Sequence, residues 1–298
     1  MTALRTPDDR FADLPDFPFA PNYIDDLPGY EGLRMHYIDE GPRGAEHTFL
    51  CLHGEPSWSF LYRKMAPVFA EAGHRVVAPD FFGFGRSDKP VDDAVYTFGF
   101  HRGALTAFIE RLDLSNITLV VQDWGGLLGL TLPADNADRL ARLVVMNTAL
   151  ATGHMPPSKG FIKWRDFMAN TPELDVAAMM TRAIPGLTEA EAAAYAAPFP
   201  DGRYQAGVRR FPAIVPTAVD QEGADIARSV VPFWMQEWSG PTFMAVGAKD
   251  PVLGPPVMAM LAQVIRGCPE PMVIEDAGHF VQEAGDRIAP AVLEAFGG

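Results

Sequence analysis

Strand-like and helix-like stretches alternate on both sides of one long insertion, which predicts an α/β fold: a mostly parallel sheet covered by helices on both faces, with an inserted helical lid. Three observations carry that reading. Short β-branched or apolar runs alternate with helix-spaced stretches from Arg34 to Met146, and the alternation resumes from Thr242 to Phe296. In the middle of the first half, Ile117 to Leu130 reads I-T-L-V-V-Q-D-W-G-G-L-L-G-L, an apolar strand that meets a tight turn and then a helical segment. Between them, residues 149–219 lose the alternation and hold clustered prolines, Ala-rich pieces such as Glu189 to Ala197, and scattered aromatics. The expected division is therefore a core of residues 1–148 and 220–298 and a helical cap of residues 149–219.

Taken in order, Arg34 to Asp39 and Thr48 to Leu52 have strand character and are separated by the Gly-Pro-Arg-Gly turn at 41–44. Phe60 to Ala72 has helical spacing and stops at Gly73, and Arg75 to Ala78 then gives a buried strand. A helix from Tyr96 to Leu112 feeds the strand at Ile117 to Val121, and Leu143 to Met146 is the next strand. Beyond the insertion come a strand at Thr242 to Val246, a helix at Pro256 to Ile265, a strand at Met272 to Ile274 and a closing helix at Ile288 to Phe296.

Composition narrows the function. With 298 residues, 48% of them apolar, the chain can bury a large core. The formal charge of −14 opposes binding to nucleic acid or an anionic membrane, and no basic block reverses it locally, so no polyanion partner is expected. Cys51 and Cys268 fit buried or incidental thiols better than a disulfide framework. No His pair stands at metal-ligand spacing, and neither metal nor cofactor is expected. The N-terminus has no apolar core of signal-peptide length and no run approaches the roughly 18 apolar residues of a membrane helix, so a cytoplasmic protein is expected, as a monomer.

In an open parallel sheet, reactive groups gather just beyond the carboxyl ends of the strands. Here those positions hold His53-Gly54-Glu55-Pro56, Asp123-Trp124, Asn147-Thr148, Lys249-Asp250 and Gly278-His279. Two carboxylates and an imidazole thus stand at three strand ends. Asp123 occupies the central position of a turn usually written G-x-S-x-G, with Val121 where the first glycine would be, so that pattern is half matched. Asp is also common where turn amides need an acceptor, and the partners downstream favour catalysis over that plainer role. His53 reads as structural, orienting the loop that carries Glu55. Asp80, Gly83, Gly85 and Ser87 read as a shaped turn, because the phosphate-binding glycine signatures are missing.

The motifs together resemble the haloalkane dehalogenases of the α/β-hydrolase superfamily. The matching residues are H-G-E-P at 53–56, D-F-F-G-F-G-R-S-D at 80–88, V-Q-D-W-G-G at 121–126, G-F-I-K-W at 160–164, Y-A-A-P-F-P-D at 195–201, Y-Q-A-G-V-R-R-F-P at 204–212, K-D-P-V-L-G at 249–254 and D-A-G-H-F at 276–280. The likeness runs from roughly residue 30 to the end, lid included. H-G-x-P and D-W-G are superfamily signals, whereas Glu55 and the lid motifs are narrower. The resemblance implies an α/β-hydrolase fold and the chain order nucleophile, acid, base: Asp123, Asp250, His279, the arrangement with the acid after the later strand. It implies halide binding by Trp124 and Trp164, a pocket lined by Phe161 and Phe211, and a small halogenated alkane, water and halide as the partners. Backbone N–H groups of Glu55 and Trp124 are the expected oxyanion hole.

The chemistry agrees with these residue types. A carboxylate, with an ordinary pKa of about 4, is already ionised at neutral pH and can displace halide from saturated carbon without a base. Aspartate then leaves an ester that water can cleave, where serine would leave an ether. An indole N–H only donates, which suits a departing anion.

The rival readings have weaker footing. Epoxide hydrolysis uses two lid tyrosine hydroxyls, for which Tyr195 and Tyr204 are the candidates, but Glu55 replaces the aromatic common in H-G-x-P of that group. Haloacid cleavage would want an Arg beside the nucleophile, where Trp124 stands. None of Ser57, Ser59, Ser87 or Ser115 sits in an elbow. A non-catalytic binding protein on the same fold remains a different class, which loss of a triad member would mark.

Overall fold

The computed structural model describes residues 2–297. The chain opens with β1 (Ala3–Leu4), β2 (Asn22–Ile24), β3 (Met35–Glu40) and β4 (Thr48–Leu52). Helix α1 (Ala66–Glu71) leads to β5 (Arg75–Pro79), and β6 (Lys89–Pro90) pairs back on β1. Then come α2 (Phe98–Arg111), β7 (Ile117–Gln122), the short helices α3 (Trp124–Gly129) and α4 (Pro133–Asn136), and β8 (Leu140–Met146). Helices α5 (Lys159–Asn170), α6 (Val176–Ala183), α7 (Glu189–Ala196), α8 (Ala206–Arg210) and α9 (Ala224–Ser229) fill the interval before β9 (Thr242–Gly247). The chain closes with α10 (Pro255–Val264), β10 (Met272–Ile274) and α11 (Gly285–Phe296).

Eight strands form one sheet in the order β10-β9-β8-β7-β4-β5-β3-β2. β3 runs antiparallel to β5 and to β2, and the other neighbours are parallel. The fold is the expected α/β-hydrolase type. Every residue of β4 (T-F-L-C-L) and of β7 (I-T-L-V-V-Q) is buried, as a central parallel strand covered on both faces requires. The helix pairs α1 with α11 and α2 with α3 pack on the sheet.

The structure departs from the sequence reading at a few boundaries. The expected helix from Phe60 divides into a 3₁₀ turn, Ser59–Tyr62, and α1, because Pro67 lacks an N–H and fits only the first turn of a helix. The closing helix starts at Gly285, before the expected Ile288. After residue 219, α9 and a π-helical turn at Phe233–Glu237 precede β9, and the Trp234 indole donates to Leu130 O at 2.8 Å, which ties this segment to the α3 region of the core. Among the described residues no helix is long and apolar enough to cross a membrane.

Because the central strands are parallel, β4, β7, β8, β9 and β10 all release their chain at the same edge. That edge collects Glu55, Asp123, Asn147, Asp250 and His279.

Candidate active site

The turn after β7 sets the centre of the site. Asp123 adopts φ 48°, ψ −124°, a strained backbone for a residue with a Cβ. Its surroundings hold it there: its N–H donates to Asn147 O at 3.0 Å, and its carbonyl accepts from Gly126 N, Leu127 N and the Thr148 hydroxyl. Close approach demands glycine on both sides. A Cβ at Gly125 would stand 2.0 Å from Leu52 O, and one at Gly54 2.3 Å from Asp123 Oδ2. With that clearance the Glu55 N–H donates to Asp123 Oδ2 at 2.8 Å.

Burial pushes the Asp123 carboxyl above its ordinary value, while the His279 charge and the N–H groups of Glu55 and Trp124 favour ionisation. The Glu55 carboxyl beside it is pushed up further, by burial and then by the Asp123 charge, against a small opposing contact from the Trp164 indole. Two acids in one dry space cannot share charge freely, and the one supplied with N–H donors is the one that keeps it.

Asp250, His279 and Asn147 form the second part. His279 Nδ1 lies 2.8 Å from Asp250 Oδ2, and its Nε2 lies 3.7 Å from Asp123 Oδ1. The other Asp250 oxygen accepts from Val252 N at 2.8 Å and Leu253 N at 3.0 Å, and Asn147 Nδ2 donates to Oδ2 at 2.9 Å. Burial opposes ionisation of Asp250, but the His279 charge and hydrogen bond outweigh it and hold the carboxyl at about 2. For His279, burial disfavours the charged ring, and Asp250 with Asp123 raises it to about 9. Asp123, Asp250 and His279 are therefore brought within one constellation.

Above it lies a cavity of about 750 Å³ whose wall includes Glu55, Asp123, Trp124, Phe161, Trp164 and His279. Phe161 and Trp164 come from α5, whose N-cap Ser158 accepts from Phe161 N. The indoles divide into two sets. Those of Trp58, Trp234 and Trp238 donate to Ala194 O, Leu130 O and the Thr242 hydroxyl. Among the described residues, that of Trp124 meets no acceptor, that of Trp164 meets only the Glu55 carboxyl, and both rings face the cavity that Asp123 lines. An indole N–H on the wall of a dry cavity is a place for an acceptor.

Phe211 corrects the sequence reading: it does not line this cavity. It is fully buried behind Trp124, with ring centroids 4.4 Å apart, and packs edge-on against His101 and tilted against Phe84, so it backs the indole instead of meeting a ligand. The tyrosines of the epoxide alternative are also absent from the wall. Tyr195 is fully buried, its hydroxyl engaged by Arg63 and Glu283, and Tyr204 lies elsewhere in the lid. His53 is locked as a neutral ring, with Nε2 accepting from Phe81 N and Nδ1 donating to Gly54 O, next to Glu55. Asp80 gathers Ser59 N, Arg86 N and His36 around the turn that contains Gly83 and Gly85.

Two polar residues at the site were not singled out from the sequence. Asn147 stood among the strand-end positions with no role given, yet it clamps Asp250 and accepts from Gly247 N. Gln122 is the one polar residue at the end of β7 and stands next to Asp123, a signal that could have drawn notice; its amide reaches His279.

Comparison with known proteins agrees with the geometry. Residues 47–286 match the family model described as the alpha/beta hydrolase fold. The chain is 43% identical to a haloalkane dehalogenase of Psychrobacter cryohalolentis, over 99% of this chain and 98% of that one. It is 40% identical to a haloalkane dehalogenase of Mycolicibacterium paratuberculosis, over 98% of each. The structure of haloalkane dehalogenase DpaA from Paraglaciecola agarilytica, described as tetrameric, superposes with a TM-score of 0.96 at 55% identity, covering 98% of this chain and 97% of that one.

Proposed function

The chain belongs to the haloalkane dehalogenases of the α/β-hydrolase family, enzymes that hydrolyse carbon–halogen bonds, and from that premise we propose which residues perform each step. The observation that carries the assignment is the pair of indole N–H groups, Trp124 and Trp164, on the wall of the cavity that holds the Asp123 carboxylate.

Asp123 is the nucleophile. Glu55 N–H holds Oδ2, which leaves Oδ1 free to attack the halogen-bearing carbon. The carbon–halogen bond breaks as the new C–O bond forms, and the halide leaves toward the two indoles, donors that bring no negative charge of their own. Phe161 contributes to the apolar wall around the alkyl chain, and Phe211 supports Trp124 from behind. Water then attacks the Asp123 carbonyl carbon and gives a proton to His279 Nε2, while Asp250 holds Nδ1–H and stabilises the imidazolium. The carbonyl oxygen carries the developing charge in the hole formed by the N–H groups of Glu55 and Trp124. Collapse expels the alkoxide, which takes the proton from His279, and the balance is one haloalkane and one water to one alcohol, one halide and one proton.

Residues 149–219 act as the cap that closes this cavity, over a core of residues 1–148 and 220–298. The protein is cytoplasmic and monomeric in this reading, its charge of −14 opposing self-association. Light scattering behind size exclusion tests that state against the tetramer described for the related structure.

The decisive experiment uses His279→Gln with a 1-haloalkane. One halide per protein is released, turnover stops, and intact mass shows an alkyl adduct on Asp123. Steady turnover without an adduct sinks the assignment. Styrene oxide assayed in parallel on the native enzyme, with diol as the readout, gives no product.

A further inference from the structure

The titratable groups beside His279 at the cavity floor are acids: the ionised Asp123 after β7 and Asp250 after β9, with Glu55 after β4 on the same wall held toward its neutral form. The cations Lys249, Lys163 and Arg182 line the same cavity with exposed side chains at its rim, and Glu283, just beyond His279, is paired with Arg63 and Lys64. Against burial, which disfavours the charged ring, Asp250 and Asp123 raise it to about 9, where it is protonated at neutral pH and unable to take a proton from water. One neutral group opposes them.

Gln122 is fully buried, and its Nε2 lies 3.0 Å from His279 Nε2 and 3.1 Å from the His279 carbonyl oxygen. A carbonyl only accepts, so the atom between these two must be the NH₂ and not the amide oxygen. The opposite end is fixed the same way. The Tyr62 hydroxyl donates to Leu52 O at 2.8 Å, so its lone pairs receive Gln282 Nε2 at 3.5 Å, and Gln282 Nε2 also reaches Gln122 Oε1 at 3.4 Å. Two backbone carbonyls therefore set the direction of the whole chain of hydrogen bonds. With the NH₂ turned to it, Nε2 is satisfied only as an acceptor; a proton there would point at the amide hydrogens. Asp250 takes the other proton at Nδ1.

We propose that Gln122 is a positioning residue for the reaction: its amide, held by the His279 carbonyl, donates to Nε2 and keeps the resting imidazole neutral beside Asp123, and it yields that lone pair when water delivers its proton. The proposal rests on the reading of His279 as the base. Removing the donor frees Nε2 to hold a proton, so the ring's midpoint rises; an acid in its place raises it further.

The first test is ¹⁵N NMR of histidine-labelled native protein, with His279 identified by its loss in His279→Gln. At pH 7, Nδ1 carries the proton and Nε2 is bare; an imidazolium at pH 7 overturns the proposal whether or not any variant folds. In Gln122→Met the midpoint moves up by about two units, a hundredfold change in the ratio of protonated to neutral ring, and in Gln122→Glu by more. An unmoved midpoint in both overturns it. The second test is rapid-quench decay of the alkyl-enzyme against pH. Its acid limb shifts upward in Gln122→Met by the same interval, whereas a loss of packing alone would lower the rate equally at every pH. A decay profile that stays put while the NMR midpoint moves overturns the base reading and Gln122's part in the reaction with it. An NMR midpoint that stays put, with native decay still tracking His279, overturns Gln122 alone.

Discussion

Two helices of the inserted segment are held in opposite ways. Helix α7 is bolted to the core: Arg63, whose side chain is wholly buried, binds Glu191 of α7 at 2.6 Å and Glu283 at 2.7 Å, Tyr195 joins the same cluster, and the Trp58 indole donates to Ala194 O. A capping box at Thr188 and Glu191 fixes its first turn. Helix α5 carries Phe161 and Trp164 over the cavity, yet its one fully buried residue is Met168; side-chain hydrogen bonds such as Asn170 to Asp166 O stay within the helix, and its polar contact with the core is that of the Trp164 indole with Glu55. The lid thus has a polar, ion-paired edge beside the segment carrying His279 and an edge held mostly by apolar contact above the cavity. On the proposed roles, stability and halide binding fall to different edges.

The largest break of that contrast is Arg63→Met. It leaves Glu191 and Glu283 without their shared guanidinium and costs about 3–5 kcal/mol of unfolding free energy, read by urea titration, with turnover by the folded fraction retained. Trp164→Phe does the reverse. Folding stability stays near native, while loss of one charge-assisted donor, about 1.5–3 kcal/mol, weakens halide binding roughly ten- to a hundredfold and strongly reduces halide quenching of tryptophan fluorescence.

Acid separates the edges further. Burial works against the Glu191 charge, but the Thr188 N–H and the Arg63 hydrogen bond hold the carboxyl at about 2, below its ordinary 4.5. A depressed carboxyl contributes stability above its unfolded value, so the α7 clamp is intact above about pH 4.5 and its contribution fades as pH falls toward 2. Amide exchange in α7 should accelerate through that window. The smallest effect belongs to Phe167→Ser on α5: at 42% exposure its loss changes stability by about 0.5 kcal/mol or less, and a larger change would show α5 to be anchored more firmly than its contacts indicate.

The elbow, the three strand-end residues and the division into sheet and insertion were legible because each has a local cause. A parallel sheet needs apolar strands, and the turn after β7 needs small residues at Gly125 and Gly54, so those choices are written at fixed offsets along the chain. Phe211 was misread because an aromatic in a lid motif does not say which side of Trp124 it occupies. Arg63, Glu191 and Glu283 gave no signal, being 128 and 220 residues apart along the chain.

Residue order alone set out the groups: two carboxylates and an imidazole at the ends of parallel strands, with tryptophan beside the first carboxylate. Tertiary structure decided which indoles line the cavity, which acid receives donors, and that a buried amide faces the imidazole nitrogen. The physical reason is range. Strand and turn preferences act between neighbours, whereas hydrogen-bond satisfaction in a dry cavity depends on groups that meet only after the sheet has assembled.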